Sequence, residues 1–178
     1  MAWRPTCIVL HDSVTRSTAS TLRVLRARGL STHYLVDESG MVSADHPTTG
    51  KAAHAGSAWN SRSIGIDIVS LYDPRLLDAR NRWGDEARRA RVAPRRWAPK
   101  RGVITMTEPQ RQALVDLVRR LCEEHGIPAR VMAGGLHQDV DPTKFRGVVA
   151  HGQFCASRWD GMLGVEALRD AGFEEVAG

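Results

Sequence analysis

Residues 31–70 read STHYLVDESGMVSADHPTTGKAAHAGSAWNSRSIGIDIVS and set two strand-like runs on either side of a loop dense in polar side chains. The first run, His33 to Asp37, is followed by Glu38-Ser39-Gly40 and then by Met41 and Val42, the pattern of a hairpin. The second, Ile64 to Val69, alternates so that Ile64, Ile66 and Ile68 share one face while Gly65, Asp67 and Val69 share the other. Asp67 is the exception in that strand. A carboxylate among β-branched residues is costly when buried without a partner, so it is expected at a sheet surface or facing a wet pocket. Between the runs, His54-Ala55-Gly56-Ser57-Ala58-Trp59-Asn60 mixes small residues, which permit close backbone approach, with His54, Trp59 and Asn60, which suit a polar, partly aromatic ligand.

Outward from this stretch, CIVLH (7–11) and GVVAH (147–151) are two further short apolar runs, and each ends in a histidine. A helix is predicted from about Thr18 to Arg28, with Ser17 or Thr18 as its cap, Leu22 and Leu25 inward and Gly29 as its stop. A longer one is predicted from Thr107 to Gly126, opening with a capping box from Thr107 to Gln110 and carrying Leu114, Leu117, Val118 and Leu121 down one face. Residues 131–141 read as a loop, and a short last helix contains Leu163, Val165 and Leu168. Strands interleaved with helices over 178 residues predict a single α/β domain, 1–178, with helices on the faces of a sheet.

The segment from Asp73 to Arg101 departs from this pattern. It carries ten Lys and Arg against four acids, together with Pro74, Pro94, Pro99, Trp83 and Trp97, and reads as an insertion. Its excess of six positive charges exceeds the formal net charge of +5 of the whole chain, so the remainder is close to neutral. Such a balance favours a polyanionic partner, with a solvated face as the plainer alternative. Cys7, Cys122 and Cys155 cannot all pair and form no C-x-x-C, so no disulfide framework is implied. No stretch reaches the roughly 18 apolar residues of a membrane span, and the N-terminal residues lack a signal-peptide pattern, which predicts synthesis in the cytoplasm.

His11 and His151, followed by Asp160 nine residues later, form a candidate His, His, Asp set for zinc with a fourth position open. Cys155 is the rival third ligand, and His33 and His54 are further candidates. His46, His125 and His137 fall in loop or helix-end contexts where a solvated histidine is the default, and Cys122 falls on the apolar stripe of its helix. Asp67 has the plain alternative of a carboxylate paired with an arginine, and Arg158 that of a surface cation.

IVLHDS (8–13), STHYLVDESG (31–40), HAGSAWNSRSIGIDIV (54–69) and GVVAH (147–151) with a following Asp together resemble the zinc-dependent type 2 N-acetylmuramoyl-L-alanine amidases, the superfamily that includes the peptidoglycan recognition proteins. The resemblance covers most of the chain outside the insertion. It implies a central mixed sheet flanked by helices, zinc on His11, His151 and Asp160, and a muropeptide groove lined by His54 and Asn60; His33 and Trp59 are expected as further substrate contacts. It implies hydrolysis of the amide between N-acetylmuramic acid and L-alanine, with Asp67 as base and Arg158 stabilising the oxyanion. A non-catalytic peptidoglycan-binding module is the alternative.

Three positions depart from the family pattern: Thr32 stands where many relatives carry tyrosine, Asp67 where others carry glutamate, and Arg158 where lysine is usual. The Asp-Pro-Gly expected at the last ligand is Asp160-Gly161. The insertion is expected to dock on anionic wall polymer. A monomer is expected, without nucleic acid, acting as an endolysin on the wall or in wall recycling.

Overall fold

The computed structural model describes residues 3–77 and 85–178. CIVLHD forms β1 (Cys7–Asp12), buried along its whole length. Ser17 caps α1 (Thr18–Ala27), accepting from the Ser20 amide while the Ser20 hydroxyl oxygen accepts from the Ser17 amide. The predicted hairpin is β2 (Tyr34–Val36) and β3 (Val42–Ala44), paired antiparallel. Its turn requires Gly40, at φ +86°, where a Cβ would lie 2.7 Å from the Pro109 carbonyl oxygen. A short helix α2 (Ser57–Asn60) then leads into β4 (Ser63–Ile68).

The chain continues through a 3-10 turn (Pro74–Leu76), α3 (Asp85–Arg89) and a separate hairpin of β5 (Val92–Arg95) and β6 (Ala98–Ile104). It is completed by α4 (Glu108–His125), β7 (Arg130–Met132), β8 (Gly147–Ala150), α5 (His151–Phe154), α6 (Met162–Asp170) and β9 (Glu174–Val176).

Seven strands make one sheet in the order β3-β2-β4-β1-β8-β7-β9, parallel except at the β2–β3 edge. This is the expected mixed sheet. Ile8, Leu10, Ile64, Ile66, Ile68, Val148 and Ala150 face α4 and α6, which contribute Leu114, Leu117, Val118, Leu121, Val165 and Leu168. Cys7, Val9 and Val149 face the other way, under Ala55, Trp59, Phe145 and Val140. Both faces of β4 are therefore covered, as parallel strands require, so the alternation read in the sequence does not separate core from solvent.

Several local expectations change. Thr107 caps α4 through its oxygen, but Gln110 does not reach back to it; its buried amide donates to the carbonyls of Val36 and Val69, tying α4 to the β2 and β4 segments. The strand at 130–132 overlaps the start of the stretch read as loop, and β9 was not anticipated either. Three residues carry too little pattern to register, and their strand character comes from pairing with β8 and with each other. His151 opens α5 and does not end a strand, which turns its side chain back over β1.

The arginine-rich segment packs onto the body. Val103, Trp97 and Ala98 join Tyr72 and Leu163 in a third apolar cluster. Arg88 and Arg91 both pair with Glu38 at 2.7 Å, Arg95 pairs with Glu166 at 3.0 Å, and Arg16 from the body holds Asp85. Trp97 stacks on Tyr72 and donates its indole N–H to Glu166. Among the described residues, several of the segment's charges are thus matched within the protein. Trp83, singled out with Trp97, lies outside the described residues.

Candidate active site

Strand register builds the site. His11 stands directly beside Asp67 on the neighbouring parallel strand β4, and Leu10 beside Ala150 on β8, so His151 emerges next to His11. All three lie at the carboxyl ends of parallel strands around β1, where the chain order switches sides and where open α/β sheets place their ligands. A cleft of about 310 Å³ opens there. Its floor holds His11, Asp12, His54, Asp67, His151 and Asp160, and α1 supplies a wall through Thr21, Val24 and Leu25.

His11 Nδ1 and His151 Nδ1 lie 3.3 and 3.4 Å from the same Asp160 oxygen, Oδ2. One donor atom from each residue falls within 4.8 Å of the others, the geometry of a three-ligand metal site. Among the described residues this is the one such cluster, and Cys155, the rival ligand, is not in it; its thiol meets the Ser157 hydroxyl at 3.5 Å. Two imidazoles and a carboxylate are the borderline donor set that suits zinc while leaving a coordination position open.

Asp160 reaches the cluster through Gly161, whose φ is +86° and where a Cβ would lie 2.1 Å from the Leu10 carbonyl oxygen. Gly161 N–H donates to Asp12 Oδ2 at 2.6 Å, clasping the Asp160 turn to the end of β1. This accounts for a glycine immediately after Asp160. Tyr72 adds a second tie, its hydroxyl donating to the Trp159 carbonyl at 2.8 Å. Asp12 and Tyr72 escaped the sequence reading; the signal for Asp12 was its place directly after His11, at the end of a buried strand.

The electrostatics follow from burial and proximity. Burial alone would discharge His11, but its bond to Asp160 and the field of Asp67 outweigh this and raise its pKa. For His151 burial prevails over the same carboxylate, and the pKa is lowered. Burial opposes the charge of Asp160, yet its bonds to His11 and His151 hold it well below the usual carboxylate range. Asp67 is raised by burial, against the opposing pull of His11 and the Thr32 hydroxyl. Burial likewise pushes Asp12 up to about 8, against the Gly161 N–H.

Of the expected substrate contacts, His54 reaches the cleft, whereas His33, Trp59 and Asn60 do not line it. His33 is fully buried, with Nδ1 accepting from the Gly65 amide and Nε2 meeting the Gly50 carbonyl, so both ring nitrogens are engaged by backbone. Trp59 is buried against Phe154, with ring centroids 4.1 Å apart. Asn60 Oδ1 accepts from the amides of His54 and Ala55 and pins the loop that carries His54. These three residues support the cleft from behind and do not line it. His54 is held well below its ordinary pKa, first by burial and then by His11 beside it. Thr32, at the position where relatives carry tyrosine, is buried and donates to the Gly65 carbonyl at 3.0 Å. Arg158 is exposed at the cleft rim.

The fold is shared with solved amidases. N-acetylmuramoyl-L-alanine amidase LysC from Clostridium intestinale superposes with a TM-score of 0.62 at 15% identity, over 97% of this chain and 88% of that one. AmiD from E. coli, solved with anhydro-N-acetylmuramic acid-L-Ala-D-gamma-Glu-L-Lys, gives 0.63 at 20% identity, over 98% and 60%. A Rickettsia conorii protein assigned by name to the same amidases is 33% identical over 76 residues, spanning 39% of this chain and 28% of its own length. Residues 2–160, from before β1 through Asp160, match the family model as well, and on that match the chain belongs to the amidase 2 family, the N-acetylmuramoyl-L-alanine amidases.

Proposed function

We propose that this domain hydrolyses the amide bond between the lactyl carbonyl of N-acetylmuramic acid and the L-alanine amine of the peptidoglycan stem, with zinc held by His11, His151 and Asp160. The observation that carries the reading is the convergence of those three side chains on the floor of a cleft, with Asp67 from the adjacent strand beside them. Zinc in such a site polarises the scissile carbonyl and lowers the pKa of water at its open position to about 7. Asp67, raised from its ordinary pKa by burial, takes the proton of the attacking water and delivers it to the departing amine. Arg158 at the rim supplies positive charge to the oxygen that becomes anionic and serves as an electrostatic partner only.

Mass spectrometry of digested peptidoglycan tests the reaction. The expected products are stem peptides with a free L-alanine amine and glycans whose muramic acid residues carry free lactyl carboxylates, lost on chelation and regained with zinc. A protein that binds wall fragments and releases nothing is a recognition module, and that outcome overturns the proposal.

A further inference from the structure

We infer that His54 is a positioning residue: its ring fixes the proton of His11 on Nε2, so that His11 offers Nδ1 to a metal. The inference rests on the zinc reading above and adds a role to a residue expected to contact substrate. The juxtaposition that carries it is a chain of four groups. His11 Nε2 lies 3.0 Å from His54 Nδ1. His54 Nε2 lies 3.3 Å from the Ser63 carbonyl oxygen and 3.2 Å from Ser63 Oγ. Ser63 Oγ in turn donates to the Trp59 carbonyl at 2.8 Å.

Proton counting gives the chain a direction. The single hydroxyl proton of Ser63 is committed to Trp59, so toward His54 both Ser63 oxygens are acceptors. His54 Nε2 must therefore donate. With one proton on the ring, His54 Nδ1 is an acceptor, and His11 Nε2 must carry the proton facing it. That leaves His11 Nδ1 directed at Asp160 Oδ2, and once Nδ1 loses its proton the two are facing acceptors that a cation satisfies. A ligating histidine whose other nitrogen is held by a partner is the arrangement that fixes tautomer and ring orientation at metal sites.

The stretch between His54 and Asp67 seats this ring. Asn60 pins the His54 amide, and Trp59 anchors the loop in the core. Gly65 leaves room on β4, since a Cβ there would stand 2.7 Å from His54 Cγ. Glycine in the middle of a buried strand otherwise weakens packing, and close approach of a side chain is a physical reason for it.

The test uses the full chain, with zinc affinity measured by chelator competition and the His11 ring nitrogens read by 15N NMR, metal-free and zinc-loaded. His54→Phe, which keeps the ring volume and removes the acceptor, is expected to weaken zinc binding by about 10–100-fold, while His54→Gln, which retains an acceptor and a donor, stays within about threefold. Gly65→Ala should weaken zinc although every histidine remains. In the wild type the NMR signals should place a proton on His11 Nε2 in both states. Zinc affinity unchanged in His54→Phe, or a bare His11 Nε2 in the wild type, overturns the inference; unchanged affinity with a raised KM makes His54 a substrate contact. If His54→Phe does not fold, His54→Gln and the wild-type NMR signals decide. A wild type that takes up no zinc defeats the metal reading, while the position of the His11 proton still judges this one.

Discussion

The carboxyl-end face of β1, β4 and β8 and the arginine-rich segment that continues into the β5–β6 hairpin both concentrate ionisable side chains, and they settle their charge in opposite ways. In the hairpin region, arginines and carboxylates neutralise one another directly: Arg88 and Arg91 on Glu38, Arg95 on Glu166. At the strand ends, Asp12, Asp67 and Asp160 are gathered with His11 and His151 into one cleft, and burial and mutual repulsion shift their protons. Matched charge of the first kind fastens a segment to the body. Charge of the second kind is shared among several buried groups at once, which makes their protonation responsive to a cation or a substrate, a condition for chemistry. A count of basic residues would have ranked the two regions the other way round.

The sharpest way to break this comparison is to remove a proposed ligand. Asp160→Ala or His11→Ala should abolish zinc retention in a metal analysis and turnover with it, and a variant that keeps both would move the site elsewhere. Next in size, Asp67→Asn should leave zinc bound while lowering turnover by roughly 10²–10⁴, the range for losing a positioned general base. An unaltered rate would reduce Asp67 to a buried structural carboxylate.

Acidification should separate the two regions as well. Because the pKa of His11 is raised above 6.5, protons compete for it from above that value downward, and zinc affinity should fall by about tenfold per unit as pH drops below it. His151, shifted down, meets proton competition only at lower pH than His11. Chelator competition between pH 8 and 5.5 measures the slope, and a flat profile would exclude His11 from the site.

Stability is the readout for the hairpin. Arg88 is nearly buried on Glu38, so Arg88→Met should cost about 1–3 kcal/mol in denaturant unfolding, with turnover on a soluble muropeptide preserved. Loss of turnover at unchanged stability would instead give the segment a catalytic part. The smallest effect is expected from salt. With several of its arginines already paired, the segment should give activity on insoluble wall only a shallow ionic-strength dependence, a factor of a few between low and physiological salt. A steep dependence, abolished by replacing Arg96 and Lys100, would restore the docking surface that the composition suggested.

The long, strongly patterned elements were legible in residue order alone. β1, β4 and β8 announce themselves as β-branched runs, α4 by its apolar face between Thr107 and Gly126, and the two strand-adjacent histidines with Asp160 by the types that bind zinc. HAGSAWN and SIGID were also visible as an unusual stretch, because small residues, a carboxylate in a strand and aromatic anchors seldom coincide without cause. What each residue in that stretch does was not visible. His33, His54, Trp59 and Asn60 read alike as ligand-facing groups, yet His33 and Asn60 serve backbone amides, Trp59 fills the core, and only His54 meets the cleft. Residue type dictates what a side chain is able to donate, accept or ligate, and that much is local. Which partner it finds depends on sheet register, on His11 lying opposite Asp67 and on Gly161 folding under the Leu10 carbonyl, and those are contacts between residues far apart in the chain that only packing brings together.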